Sequence, residues 1–307
     1  MTKTVLITMG CSWTYGSYVG YEYRMTRDEL DTTQLDPDIS NKLSFRGLLS
    51  KKYNLTNKNF SITSSSNQKQ FRLAKEFFSS AEFNQYQRDF DKIIVLWGIT
   101  STARNELWAV ESNDLVNFFY NNKLDHGKEL IKYLGKFYYN HENEVALLAT
   151  EMRHWNTFFQ SLNIDNFWFD TFNHHDYHCP GPRIDKFKKL YNSCRGPSWP
   201  LWENFSRNEF SVDQNIFDES MDKTRWPWVE LFHPLIDRLI YADKKPRDLM
   251  SILAINNGLE VPDADYTKKI KYLIDCGILN PYTKHPTKRG HKQIAEILSE
   301  FVEPVIV

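Results

Sequence analysis

The stretch VLITMGCSWTYG, residues 5–16, decides the fold and raises the question of function. Its first half is an aliphatic, β-branched run, which is typical of a buried strand. The run stops at Gly10, and Cys11 and Ser12 follow before a second glycine at position 16. A serine in this place is most often the N-cap of a helix. It can also be a nucleophile at a strand tip, and the stretch alone leaves both interpretations open.

The rest of the chain alternates between strand-like and helix-like segments. Strands that alternate with helices of ordinary length pair in parallel through right-handed crossovers. We therefore predict an α/β fold, a three-layer α/β/α sandwich, whose ligands bind at the carboxyl ends of the strands. The segments are further strands at 91–99 and 166–173, and helices at 43–53, 66–83, 143–164 and 290–302.

Composition excludes several classes of function. Of 307 residues, 41% are hydrophobic and 25% charged, with a formal net charge of −1, so the chain has the balance of a globular protein without the basic field that nucleic acids or membrane surfaces require. The N-terminus has neither the length nor the cleavage site of a signal peptide, which predicts cytoplasmic synthesis. The four cysteines lack CxxC spacing and are expected to be free thiols.

One region differs in composition from the rest. Residues 179–234 hold six of the twelve prolines and four of the nine tryptophans, with little periodicity. We expect an irregular insertion over the edge of the sheet, within a single domain that spans residues 1–307.

Ser12 and His285 are the strongest candidates for chemistry. A serine hydroxyl is a poor nucleophile unless an imidazole within hydrogen-bond reach takes its proton. His285 lies in KHPTKRGH, just before the last helix, and Pro286 disfavours helical backbone at the histidine. The two residues stand at opposite ends of the sequence, and a parallel sheet is the kind of structure that could bring them together.

Four short blocks carry a family resemblance. GCSWTYG (10–16), NFSITSSSNQ (59–68), VLWGITSTARNE (95–106) and HPTKRGH (285–291) resemble the ordered blocks of the SGNH (GDSL-like) hydrolases, in the GCSWTYG-type branch common in tailed-phage genomes. The resemblance implies a flavodoxin-like sheet and chemistry without a metal or organic cofactor. It implies that Ser12 is the nucleophile and an oxyanion-hole donor through its N–H, and that His285 is the base.

The blocks also depart from the family pattern at three places. Ser65 stands where the family has an oxyanion-hole glycine, followed by Asn67 as a substrate-binding candidate, and Thr100 stands where it has an asparagine. Losing one oxyanion donor typically costs ~10²–10³ in rate. Tyr282 occupies the position of the family's catalytic aspartate. A backbone carbonyl could orient the histidine, a carboxylate such as Asp176 could arrive from elsewhere, or the site could be degenerate.

Two other groups of residues could contribute to the site. Asn173 and His174 follow the third strand and are expected to position substrate, although the histidine-rich run 174–179 could alternatively bind a metal. Arg104 could clamp a carboxylate or phosphate, or pair with Glu106 or Glu111 on an emerging helix.

Two functions follow from these observations. The first is a serine esterase that removes a small acyl group, such as O-acetyl, from a glycan or similar ester. The second is a non-catalytic module of the same fold, a binding or structural protein such as a particle-associated phage protein or a glycan-recognition domain. The sequence leaves the oligomeric state open.

Overall fold

The structure is a computed structural model, and it describes residues 2–20, 36–109, 114–119, 141–172, 248–260 and 266–306. The strands are β1 (Thr4–Met9), β2 (Thr56–Asn59), β3 (Lys92–Ile99), β4 (Arg104–Ala109), β5 (Asp114–Phe119) and β6 (Asp165–Asp170). The helices are α1 (Ser12–Tyr15), α2 (Pro37–Leu43), α3 (Phe45–Tyr53), α4 (Asn67–Phe78), α5 (Ala81–Asp89), α6 (His141–Ser161), α7 (Leu249–Asn256), α8 (Tyr266–Asp275) and α9 (Lys288–Ile306).

The main sheet has four parallel strands in the order β2-β1-β3-β6. Every residue of β1 is buried, as its aliphatic sequence predicts for a central strand covered on both faces. The carboxyl ends of β1 and β3 are neighbours, because Met9 pairs with Trp97. The predicted α/β fold with a parallel sheet is confirmed, and the tips of these strands share one edge.

Helices cover both faces of the sheet and enclose two separate cores. On one face, Leu6 and Leu96 pack with residues of α3, α7 and α9. On the other face, Ile7 and Trp97 pack with residues of α4, α5 and α6. Alternate residues of one strand point to opposite faces of the sheet, so a continuous apolar run supplies both cores. The arrangement is the predicted three-layer sandwich.

The helix predicted over 66–83 is in fact two helices. Ser79 is the C-cap of α4, and Ser80 is the N-cap of α5, where its hydroxyl accepts a hydrogen bond from the amide of Phe83 at 3.2 Å. Serine side chains compete with the helical backbone for hydrogen bonds and so favour helix ends. The apolar residues of both helices pack in the same core, so their spacing along the sequence gave no sign of the break at Ser79 and Ser80.

The segment after β3 is a strand and not a helix. One of the two alternatives for Arg104 paired it with Glu106 or Glu111 on an emerging helix, whereas Arg104 and Glu106 both belong to β4, which pairs with β5 in an antiparallel hairpin. The pairing satisfies the backbone groups of β4 through the aliphatic and aromatic segment DLVNFF, a sequence with strand preference.

Thr171 and Met250, which flank residues 173–247, lie at the same place beside the sheet. The amide of Thr171 donates to the carbonyl of Ile99 at 2.9 Å, and the amide of Met250 donates to the carbonyl of Thr171 at 3.3 Å. Both flanks of residues 173–247 therefore lie beside the carboxyl end of β3. The insertion expected at 179–234 lies outside the described residues.

Two remaining expectations can be compared with the structure. None of the helices in the described ranges combines the length and apolarity that crossing a membrane requires. Of the four cysteines, Cys11 and Cys276 are described, and both are free thiols as predicted. Cys11 is fully buried behind the turn that carries Ser12.

Candidate active site

The turn after β1 places Ser12 at the carboxyl edge of the sheet. Gly10 has φ +147°, a backbone conformation that residues with a side chain rarely adopt, and a Cβ there would overlap the hydroxyl of Thr14. Ser12 then opens the short helix α1, with Cys11 in extended conformation as its N-cap. The amides of a first helical turn have no partner inside the helix, so the Ser12 N–H has no intrahelical acceptor.

The structure brings Ser12 and His285 together across 273 positions of sequence. The Oγ of Ser12 lies 2.8 Å from Nε2 of His285, a full hydrogen bond. Ser12 is 5% exposed, so its hydroxyl faces the imidazole rather than open solvent. This is the contact that a serine nucleophile and its general base require.

The surroundings of His285 keep the imidazole neutral. Burial lowers the pKa of His285 to about 4; the backbone of Thr283 acts in the opposite direction, and the Arg104 guanidinium lowers the pKa further. The ring of Tyr18 lies beside the imidazole, with centroids 5.0 Å apart and planes at 49°. At neutral pH the imidazole is therefore unprotonated and able to accept the proton of Ser12.

The residue at the position of the family's catalytic aspartate is an exposed tyrosine. Tyr282, which occupies it, is 67% exposed, and its amide donates to the side chain of Asn280 at 2.8 Å. The other imidazole nitrogen, Nδ1 of His285, is buried, and no side chain among the described residues accepts from it, although the backbone of Thr283 lies close enough to raise the pKa of the ring. Asp176, the predicted replacement acid, lies outside the described residues.

A closed loop from Asn280 to His285 carries the histidine. The amide of Asn280 donates to the carbonyl of His285 at 2.8 Å, and the amide of Lys284 donates to the carbonyl of Asn280 at 2.9 Å. Lys284 has φ +62°, the left-handed conformation that lets the chain turn back on itself. Sequence reasoning missed Asn280, although Asn-Pro in NPYTKHP is a turn signal that could have identified it.

The second block does not present Ser65 in the way we expected. The Ser65 amide donates to the carbonyl of Ile62 at 3.2 Å, and its hydroxyl donates to the carbonyl of Ser66 at 3.1 Å. Ser64 is exposed and has φ +60°, a conformation that favours glycine. The glycine-like position is therefore Ser64, one residue before the predicted one.

Gln70 ties the second block to the nucleophile turn. Its Oε1 accepts the amide of Gly10 at 2.9 Å, and its Nε2 donates to the hydroxyl of Ser65 at 2.8 Å. The side chain is 1% exposed, so this bridge is a buried one. Gln70 was not identified from the sequence, because it occupies an ordinary position on the first turn of α4.

Asn67 and Thr100 form a second bridge at the same edge. Nδ2 of Asn67 donates to the carbonyl of Thr100 at 2.9 Å, and the amide of Thr100 donates to Oδ1 of Asn67 at 3.0 Å. Both ends of the Asn67 amide thus hold the backbone at the tip of β3. The hydroxyl of Thr100 is buried and has no partner within the described ranges, so it is the donor that this residue could offer to an oxyanion.

Arg104 lies close to the pair. Its guanidinium lies over the ring of Phe172 at 5.2 Å, and Phe172 packs edge-on against Trp13, with centroids 5.0 Å apart. The ion pair that the structure shows for Glu106 is with Arg72, at 3.0 Å. Arg104 therefore adds positive charge near His285, as its effect on the pKa of that residue indicates.

Three of the predicted site residues, Asn173, His174 and Asp176, lie outside the described residues. So does the rest of the histidine-rich run. In the part of the chain that the structure describes, no group of three or more His, Cys, Asp or Glu side chains could hold a metal ion.

Neither a family model nor a curated protein matches the sequence. Among solved structures, the chain is similar to the psychrotrophic esterase EstA from Pseudoalteromonas sp., in a structure inhibited by monoethylphosphonate, with 10% identity over 98% of both chains and a TM-score of 0.40. A proposed lipolytic protein of the G-D-S-L family from Desulfitobacterium hafniense is 13% identical over 98% of this chain and 99% of its own, with a TM-score of 0.37. A proposed GDSL-like lipase from Parabacteroides merdae is 11% identical over 97% and 95%, with a TM-score of 0.38.

Proposed function

We propose that this chain is a serine ester hydrolase with Ser12 as nucleophile and His285 as general base. The observation that carries the proposal is the 2.8 Å contact between the Ser12 hydroxyl and an imidazole whose lowered pKa keeps it neutral. Oγ attacks the acyl carbonyl carbon while Nε2 takes the hydroxyl proton, and the same proton then passes to the departing alcohol. A water molecule, deprotonated by the same imidazole, releases the acid and restores Ser12.

The negative oxygen of the tetrahedral intermediate needs hydrogen-bond donors. The Ser12 N–H at the start of α1, the loop backbone at Ser64, and the hydroxyl of Thr100 are the donors that we assign to it. All three belong to segments that the bridges from Gln70 and Asn67 hold in place. Donors fixed before the reaction stabilise the developing charge without reorganisation, which is the main source of catalysis in acyl transfer.

The substrate that we propose is a small acyl ester, in particular an O-acetyl group on a glycan. Ser12 is 5% exposed, which favours a small acyl group over a bulky one. Tyr282 presents an exposed ring on the histidine loop, and sugar rings pack well on exposed aromatic faces. Arg104, together with Asn173 and His174, would position the carrier of the acyl group.

A direct assay tests the proposal. Wild-type protein should hydrolyse p-nitrophenyl acetate, and Ser12→Ala should reduce the rate to the background of the solution. Ser50→Ala is the matched control, because Ser50 is also buried, at 8% exposure, and its hydroxyl has no partner among the described residues. Equal rates for wild type and Ser12→Ala would show that the proposal is wrong.

A second candidate function is the non-catalytic module, a binding or structural protein of the same fold. The observation that favours it is the buried Nδ1 of His285, which meets no carboxylate in the described structure where the family has an aspartate. A fluorophosphonate probe separates the two functions, because it labels only an activated serine. Labelling of Ser12 that His285→Ala abolishes would support the hydrolase, and absence of labelling would support the module.

A further inference from the structure

We propose that Asn280 is a positioning residue of this site, which orients His285 through the closed loop that carries it. The inference rests on the proposed function, in which His285 must hold Nε2 against the hydroxyl of Ser12. It adds a residue that the family resemblance does not assign and that the sequence did not reveal.

The hydrogen bonds of Asn280 are the first argument. Its Oδ1 accepts the amides of Tyr282 at 2.8 Å and Thr283 at 3.2 Å. Its own amide and carbonyl bond to the backbone of His285 and Lys284, at 2.8 and 2.9 Å. One residue thus makes four hydrogen bonds to the loop that ends in the histidine. Asn280 itself is fully buried, so these bonds do not compete with water.

The second argument is what else could orient the imidazole. In a serine hydrolase triad, a carboxylate on Nδ1 holds the ring in its tautomer and direction. Here Nδ1 is buried, no side chain in the described structure accepts from it, and the aspartate position is an exposed tyrosine. Among the described residues, the restraints on His285 are its loop backbone, including Thr283, whose hydrogen bond raises the pKa of the imidazole, the ring of Tyr18 and the buried Pro286, whose own φ is fixed. Asn280 fixes the loop backbone.

The flanks of the loop extend the same restraint. Leu279 and Pro286 form an isolated antiparallel bridge, and the amide of Thr287 donates to the carbonyl of Ile278 at 2.9 Å. The loop is therefore closed at its base by backbone pairing and across its interior by the side chain of Asn280. Removing that side chain would leave the base closed but free two amides inside the loop.

The test compares Asn280→Ala with Asn280→Asp. Alanine removes the acceptor, and aspartate keeps it. Nδ2 of Asn280 has no partner among the described residues, so the exchange for a carboxylate gives up no contact seen there. Asn257→Ala is the matched control, because the Asn257 side chain also makes hydrogen bonds, to the carbonyl of Leu253 and to Gln293, but belongs to the end of α7.

Kinetics give the first readout. For Asn280→Ala we expect kcat and the rate of fluorophosphonate labelling to fall by about 10- to 100-fold with little change in KM, since a small misplacement of a catalytic group has effects of this size. Asn280→Asp should restore most of the rate. Asn257→Ala should lower the melting temperature and leave kcat unchanged. A loss of kcat in Asn280→Ala no greater than in Asn257→Ala would overturn the proposal.

The titration of His285 gives a second readout that does not depend on turnover. Loosening the loop admits water to the imidazole, so the pKa of His285, followed by NMR in the intact chain, should rise toward its ordinary value in Asn280→Ala. Among the described residues, the charged and titratable groups that face the ring are Arg104, Tyr18 and His291, and this substitution changes none of them. An unchanged titration would overturn the proposal. Failure of wild type to hydrolyse any ester would instead refute the proposed function, while the titration still decides the role of Asn280.

Discussion

His285 and His291 are six residues apart. Burial lowers the pKa of both, to about 4 for His285 and about 3 for His291, but they contact different groups and have different roles. Nε2 of His285 meets the hydroxyl of Ser12, whereas Nδ1 of His291 accepts the amide of Phe45 at 3.3 Å, at the start of α3. A buried histidine with a shifted pKa is therefore not a site by itself. The group that it contacts separates a base from a structural acceptor.

Replacing each histidine should give opposite results, and this is the largest expected effect. His285→Gln should lower kcat/KM for p-nitrophenyl acetate by about 10³-fold or more, because the Ser12 hydroxyl loses its base. His291→Leu should retain the activity of whatever fraction remains folded. Activity per folded molecule, with folding measured by circular dichroism, checks both. An active His285→Gln protein would contradict the assignment of the base.

Acid should destabilise the chain through both histidines. The unfolded imidazole titrates near pH 6.5 and the folded ones near 4 and 3, so below pH 6.5 the unfolded state binds more protons and stability falls with pH. By this linkage each histidine costs on the order of 1 kcal/mol at pH 5.5 relative to pH 7.5 and above. The loss should grow until the pH approaches the folded pKa values. Urea unfolding at the two pH values measures it.

Single-histidine variants sharpen this prediction. The free energy of unfolding should depend less steeply on pH in His285→Gln and in His291→Leu than in wild type. In each variant, unfolding below pH 6.5 should take up about one proton fewer. Asp248, whose pKa burial raises, contributes with the opposite sign and is common to all three proteins. An unchanged slope in either variant would mean that the histidine removed is not the buried neutral group described here.

The structural histidine should also carry stability at neutral pH. His291→Leu leaves the Phe45 amide without its acceptor in a buried position, which typically costs about 1–3 kcal/mol. The free energy of unfolding in urea at pH 7.5 measures this cost. His285→Gln is the comparison, because it removes a histidine whose contact is with the Ser12 hydroxyl of the site and not with a helix amide. Equal stability of His291→Leu and wild type would refute the structural assignment.

Arg104 should have the smallest effect, on the pH profile. The acid limb of kcat/KM should lie near pH 4 in wild type, as the pKa of His285 predicts. Arg104→Gln removes a positive charge that lowers this pKa, so the limb should move to higher pH. Arg72→Gln, whose guanidinium is paired with Glu106, should leave it in place. A shift to lower pH in Arg104→Gln would contradict the electrostatic assignment.

The sequence predicted the parts of the site that depend on short patterns. The aliphatic run before Gly10 predicted a central strand, and the resemblance brought Ser12 and His285 together from opposite ends of the chain. These succeeded because a strand tip and a loop before a helix are local features. Periodicity also predicted α6 and α9, each a long amphipathic segment.

The remaining parts depend on contacts that no local pattern encodes. Asn280 matters because Lys284 turns back in a left-handed conformation and returns the chain to it. Ser64 rather than Ser65 takes the glycine-like conformation, although three consecutive serines look alike in sequence. The β4–β5 hairpin is stabilised by pairing between segments, and neither of its strands was among those that we predicted.

The side chain of Thr14 packs against two glycines at the carboxyl ends of β1 and β3. A Cβ added to Gly10 or to Gly98 would overlap the same atom, the Oγ1 of Thr14. The three positions therefore share one small volume. A side chain at position 98 requires the loss of the Thr14 hydroxyl, and the ring of Phe169, 2.8 Å from the same added Cβ, would also have to move. Over evolutionary time we expect alanine at position 14 wherever Gly98 has been replaced, whereas Gly10 should persist, because its φ of +147° disfavours any side chain.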